Sequence, residues 1–142
     1  MLTVMSGKFR TQNIREYFDN PVRFAELENI IASFSCPRNN EVESFLKNNA
    51  IDFTKQNKSV TYLVFSCEDD SLTGYFSVII KPLDVFTETL SNSFRKRVAG
   101  FSKYNEGNRT YLTAAYLIAQ LGKNFTDGTD KKISGDELLN EA

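Results

Sequence analysis

Arg109-Thr110-Tyr111-Leu112-Thr113-Ala114-Ala115-Tyr116-Leu117-Ile118-Ala119-Gln120-Leu121, followed after a polar stretch by Lys131-Lys132-Ile133-Ser134-Gly135-Asp136-Glu137-Leu138-Leu139, decides the fold. The first run carries Tyr111, Leu112, Ala114 to Ala119 and Leu121, and reads as a long strand from about Arg109. Gly122 closes it, a polar loop follows, and Asp136-Glu137-Leu138-Leu139 opens a helix. A strand, a polar loop with glycine and a helix opening present backbone N–H groups to an anion, because the first turn has unpaired donors and the positive dipole end. Lys131 and Lys132 add positive charge, and Gly135 permits close approach without a Cβ. The same residues fit a plainer arrangement, in which Ser134 caps the helix and the lysines are solvated.

Working upstream, Leu90, Phe94, Val98 and Phe101 recur at helical spacing and predict a helix over about 88–102. Its Arg95-Lys96-Arg97 cluster lies in the second half, where cations suit the dipole; with Lys103 and Arg109 it is also a candidate basic rim for RNA. Before it, two strands form a hairpin. Ser59–Ser66 has apolar side chains on both faces, as in an inner strand covered twice. Leu72–Lys81 returns after the turn Glu68-Asp69-Asp70-Ser71, and Pro82 is expected to end it. Gly74 inside that strand predicts a bulge or a close backbone approach. The plainest helix precedes the hairpin: Asn40 is the expected N-cap with Glu43 reaching back, and Val42, Phe45, Leu46, Ala50 and Phe53 form its stripe.

Residues before about Leu27 read as a lead-in, with a short helix over Ile14, Tyr17 and Phe18 broken at Asp19-Asn20-Pro21. From Phe24 to Phe34 the pattern suits either a helix or a first strand, and Cys36-Pro37 ends it. The expected organisation is one domain over 1–142, with lead-in 1–26 and core 27–142. The fold class is α+β, with a mixed, largely antiparallel central sheet flanked by helices.

Composition limits the chemistry. Two cysteines in 142 residues are no disulfide framework, and the absence of histidine excludes Ser-His and Cys-His nucleophile pairs. Cys36 and Cys67 read as structural, Asp69-Asp70 as a solvated turn rather than a metal site, and Tyr116 as core packing. A net charge of −1 gives no global drive toward nucleic acid or an anionic membrane. No apolar run approaches the length of a bilayer span, and Met1-Leu2-Thr3-Val4-Met5 is too short for a secretory signal, so the expected address is cytoplasmic.

The ordered set of segments resembles the GNAT-type N-acetyltransferase superfamily, in particular its toxin-like branch. Phe34-Ser35-Cys36-Pro37 with Val42-Glu43-Ser44-Phe45-Leu46-Lys47-Asn48-Asn49-Ala50 looks like that branch's early helix. Gln56-Asn57 with Val60-Thr61-Tyr62-Leu63-Val64, and Leu72-Thr73-Gly74-Tyr75-Phe76-Ser77, resemble its second and third strands. Ala115 to Leu121 resembles the fourth strand, and Lys132 to Leu139 the phosphate loop and its helix, although only Gly135 keeps a glycine of that loop. The resemblance implies acetyl transfer from acetyl-CoA, the co-substrate, to an amine acceptor; acceptors in that branch include aminoacylated tRNA. It further implies that Leu117, Ile118, Ala119, Gln120 and Leu121 line the pantetheine arm. Amides of Lys132, Ile133, Ser134, Gly135 and Asp136 would hold the diphosphate. The superfamily's last strand-helix-strand is lacking here, so no catalytic residue is assigned and no metal is implied. The expectation for the open strand edge is a homodimer or another partner that completes the sheet. The alternative is a non-catalytic, truncated acetyltransferase fold that binds CoA or a protein.

Overall fold

Phe9-Arg10-Thr11-Gln12-Asn13 is a strand that the lead-in conceals, since Phe9 is its one large apolar residue. In the computed structural model, which describes residues 4–5, 7–100 and 102–142, this strand (β2) follows β1, Val4–Met5, and precedes a 3₁₀ turn at Ile14–Tyr17. Helices α1 (Pro21–Ser33), α2 (Asn40–Asn48) and α3 (Ala50–Lys55) come next, then β3 (Val60–Ser66) and β4 (Leu72–Phe86). Helix α4 (Asn92–Ala99), β5 (Lys103–Asn105), β6 (Thr110–Lys123), a 3₁₀ turn at Thr126–Lys131 and α5 (Gly135–Glu141) complete the order. The chain is α+β, and its β1–β2, β2–β3, β3–β4 and β5–β6 pairings are antiparallel.

The short helix ends before Asp19 as expected, as a 3₁₀ turn over Ile14–Tyr17, and Asn20-Pro21 also starts the next helix: the Asn20 side chain accepts from the Val22 amide at 2.8 Å, and Pro21 fills the first helical position, where an N–H has no partner anyway. Pro82 does not end β4. The β3 pairing stops at Val60–Val78, so beyond it β4 has a flank that asks for no donor, and proline is tolerated. Asn39 rather than Asn40 caps α2, with its side chain accepting from Glu41 and Val42. The Glu43 carboxylate accepts from the Cys36 amide at 2.8 Å instead of from the cap. Asn49, out of helical geometry, divides the expected single helix into α2 and α3.

The chain forms two compact units: Met1–Ile79 with Ile118–Ala142, and Ile80–Leu117. In the first, β3 is covered on both faces as its sequence requires. Leu63 and Phe65 join Ile14, Leu27, Phe34, Leu46 and Tyr75 on one side. Val64 joins Phe9, Phe76, Ile133 and Leu138 on the other. In the second unit, α4 is shorter than expected because Leu90 is extended and Ser91 caps the helix; Phe101, the last position of the expected stripe, lies outside the described residues, as do Met1 to Thr3. Val98 is buried, whereas Ile80, Leu83, Phe86, Phe94, Tyr104, Leu112, Tyr116 and Leu117 are exposed. Tyr116, expected in the core, is 78% exposed, because alternation along β6 puts it on the face shared with exposed Leu112 and Ala114.

Gly74 meets both halves of its expectation. The β3–β4 register shifts beside it, and a Cβ on Gly74 would lie 2.6 Å from the Gly122 carbonyl oxygen of β6. A Cβ on Gly122 would in turn collide with the Val42 side chain of α2. Gly74→Ala therefore forces backbone apart, and the expected loss is about 2 kcal/mol or more, read as a lower urea midpoint at unchanged slope. An unchanged midpoint contradicts the close pass.

Candidate functional site

The strand–loop–helix segment that the sequence singled out is held in place by Asn124, the residue after β6. Asn124 is 3% exposed. Its amide N–H donates to Thr73 O and its side-chain NH2 to Leu72 O, both at 2.8 Å, which fastens the end of β6 to the start of β4. Its side-chain oxygen accepts from the amides of Ser35 (3.0 Å) and Thr126 (3.2 Å), and its carbonyl accepts from the Thr129 hydroxyl. Phe125 N–H donates to Ser35 O, so the α1–α2 connection and the loop after β6 are tied twice. No periodicity marks Asn124; asparagine after a strand is only a turn signal.

Of the residues expected along a pantetheine arm, Leu117, Ile118 and Ala119 are exposed, and Gln120 and Leu121 are half-buried. Leu121 packs its side chain against the Phe76–Leu138 core. Leu117 falls in the second unit and the other four in the first. β6 has β4 as one neighbour, while β5 pairs with it only over Thr110–Leu112. Among the described residues, Ile118–Leu121 therefore has one flank with no strand beside it.

The loop and helix are more self-contained than the sequence reading expected. Ser134 and Glu137 form a capping box. The Ser134 hydroxyl accepts from the Glu137 amide at 3.0 Å, and the Ser134 amide donates to the Glu137 carboxylate at 2.8 Å. The Lys132 amide donates to Thr129 O. Its ammonium is bonded to the Asp69 carboxylate and, at 3.2 Å, to the Ser71 hydroxyl. Ile133 is 1% exposed and belongs to the core. The expected five-amide grip, from Lys132 to Asp136, is thereby corrected: the Lys132 and Ser134 amides are occupied. Gly135 and Asp136 remain outside the box. The carboxylates of Asp136 and Glu137 supply the negative charge that the helix dipole favours at this end. A Cβ on Gly135 would meet nothing within 4 Å, so packing does not demand glycine there.

Electrostatics follow from the same contacts. The Lys8 ammonium, 2.8 Å from Glu137, and then the Ser134 amide hold the Glu137 carboxyl below its ordinary value of 4.5. Lys132 first, then Ser71, holds Asp69 well below the usual carboxylate range.

Elsewhere, the expected basic rim is partly committed to its own unit. The Arg95 guanidinium donates to Thr87 O at 2.6 Å, and Arg109 pairs with Glu88 at 3.2 Å; Lys96, Arg97 and Lys103 are exposed. Cys36 is buried and Cys67 half-buried, both as free thiols. Among the described residues no cluster of three metal-ligating side chains occurs, and no helix is long and apolar enough to cross a membrane. No protein-family model matches the chain, and no curated protein matches it in sequence.

Asn124→Ala is expected to destabilise the fold by about 3 kcal/mol, because it strands buried partners in two neighbouring segments; chemical denaturation checks this, and a loss under about 1 kcal/mol contradicts the anchoring role. Acidification tests the α5 contacts. A carboxyl depressed in the folded state stabilises above its unfolded value and loses that contribution as pH falls through the folded one. The Glu137 and Asp69 contributions should therefore be intact at neutral pH and fade below about pH 4.5. Stability against pH should be flatter in Glu137→Gln, and superimposable curves contradict the assignment.

Proposed function

We propose that this chain carries the acyl-CoA-binding framework of an N-acetyltransferase and transfers acetyl from acetyl-CoA to an amine. The observation behind the reading is the flank of β6 left without a strand at Ile118–Leu121, anchored through Asn124 to the α1–α2 connection. Free backbone groups on a strand flank are a template for the amides of a pantetheine arm, as they are for an added strand. The order of elements supports the same reading: a strand, helices, antiparallel strands, then a long strand, loop and helix. In the reaction the neutral amine attacks the thioester carbonyl, the C–N bond forms, the C–S bond breaks, and CoA leaves as thiolate while the amine loses a proton. The chain's share is positioning and backbone hydrogen bonding.

A second reading, a non-catalytic module that binds CoA or a protein, is favoured by the capping box that occupies the mouth of α5. Diphosphate binding is then left to Gly135, Asp136 and the exposed Lys131. The proposal extends to an amine borne on a larger molecule such as aminoacylated tRNA, to a cytoplasmic location and to a completing homodimer.

Calorimetry with acetyl-CoA and with CoA, coupled to thiol release in the presence of primary amines, separates the readings. Binding with amine-dependent thiol release is the expected result. Binding without release replaces it with the module, and absence of binding to either ligand removes both CoA readings.

A further inference from the structure

A cavity of about 540 Å³ opens in the first unit, lined by Arg15, Glu16, Phe18 and Asp19, by Arg23 of α1, and by Thr54, Lys55 and Asn57 at the end of α3. None of these residues belongs to the strand–loop–helix segment. Three cations and two carboxylates face this space.

Among the described residues no ion pair uses Arg15, Arg23 or Lys55. Arg15 is held instead by neutral acceptors: its guanidinium donates to Thr54 O at 3.3 Å and to the Asn57 side-chain oxygen. Asn57 sits at φ 56°, in the left-handed region that asparagine enters more readily than other non-glycine residues. The Lys55 ammonium lies 4.7 Å from the Phe24 ring centroid and 5.6 Å from that of Phe18, and the Arg23 guanidinium 5.2 Å from that of Tyr17. Aromatic faces hold these cations without neutralising them. Of the opposing acids, Glu16 accepts from the Gln12 side chain at 3.2 Å, and Gln12 is itself bonded by Arg10 and Tyr17. Asp19 is exposed. Thr54 is 1% exposed, and its hydroxyl has no hydrogen-bond partner among the described residues.

A guanidinium held by neutral acceptors, with no carboxylate partner among the described residues, matches planar or tetrahedral oxyanions. We propose that this cavity is a binding site for a small oxyanion, the phosphate or carboxylate group of a metabolite, held by Arg15, Arg23 and Lys55. The site is separate from the acyl-CoA reading and does not depend on it.

The test is calorimetric titration of the full chain at low ionic strength with sodium pyrophosphate and, separately, with citrate. Saturable binding of one equivalent is expected. Pyrophosphate alone assigns a phosphate ligand and citrate alone a carboxylate ligand. Arg23→Gln and Lys55→Gln should each weaken binding about tenfold or more, whereas Lys47→Gln, which removes a lysine paired with Glu43, should not. Thermal unfolding of each variant verifies the fold, and acetyl-CoA binding, where present, should be unchanged by Arg23→Gln. No saturable heat with either anion, or equal weakening by Lys47→Gln, overturns the site.

Discussion

The first unit is organised by the close pass of two backbones, β4 at Gly74 and β6 at Gly122. A side chain at either position would meet atoms that have nowhere to go. Their proximity lets Val42 of α2 press against Gly122, and places Tyr75 so that its hydroxyl donates to Val42 O at 2.6 Å. Burial pushes the Tyr75 phenol up, so that it stays a donor. Phe34 meets the Tyr75 ring edge-on at 5.3 Å, and Leu138 packs near Gly74 from the opposite face. Helices on one side and α5 on the other are thus positioned against the same two strands.

Much of this was legible because it rests on local pattern. β3 declares itself by apolar residues on both faces, α2 by its stripe, and Gly74 by its place inside a strand. β2 was not legible. Thr11, Gln12 and Asn13 are buried polar residues: Thr11 bonds to Glu141, far along the chain, and Gln12 to Tyr17 and Glu16 of the turn that follows. Hydrophobic periodicity has no signal for such a strand. Pro82, inside β4 rather than at its end, differs from its reading for a related reason. A proline's effect depends on whether its missing N–H was wanted, which is decided by neighbours far along the chain.

The candidate site divides along the same line. The long strand and the helix after it were read correctly as elements, and Ser134 was one of two stated possibilities for the helix mouth. Sequence alone could not weigh a capping box against an anion site, because serine, glycine and acidic residues serve the first and a ligand may use the second. The contacts Lys132–Asp69 and Lys8–Glu137 join residues 63 and 129 positions apart and have no local signature. Tyr116 shows the converse. A tyrosine in a strand is ordinarily packed, whereas here it stands on the face of β6 that also exposes Leu112 and Ala114.

Asn124 has a chemical corollary. Its side chain donates to one carbonyl and accepts from two amides, so the two ends of the carboxamide are not interchangeable. Hydrolytic deamidation would leave an aspartate of nearly the same shape, with an oxygen facing the Leu72 carbonyl. Two lone pairs would then oppose each other in a buried setting, with a charge added. Loss of that one amide would therefore loosen the joint between β4 and β6 from within, with no change in the encoded sequence.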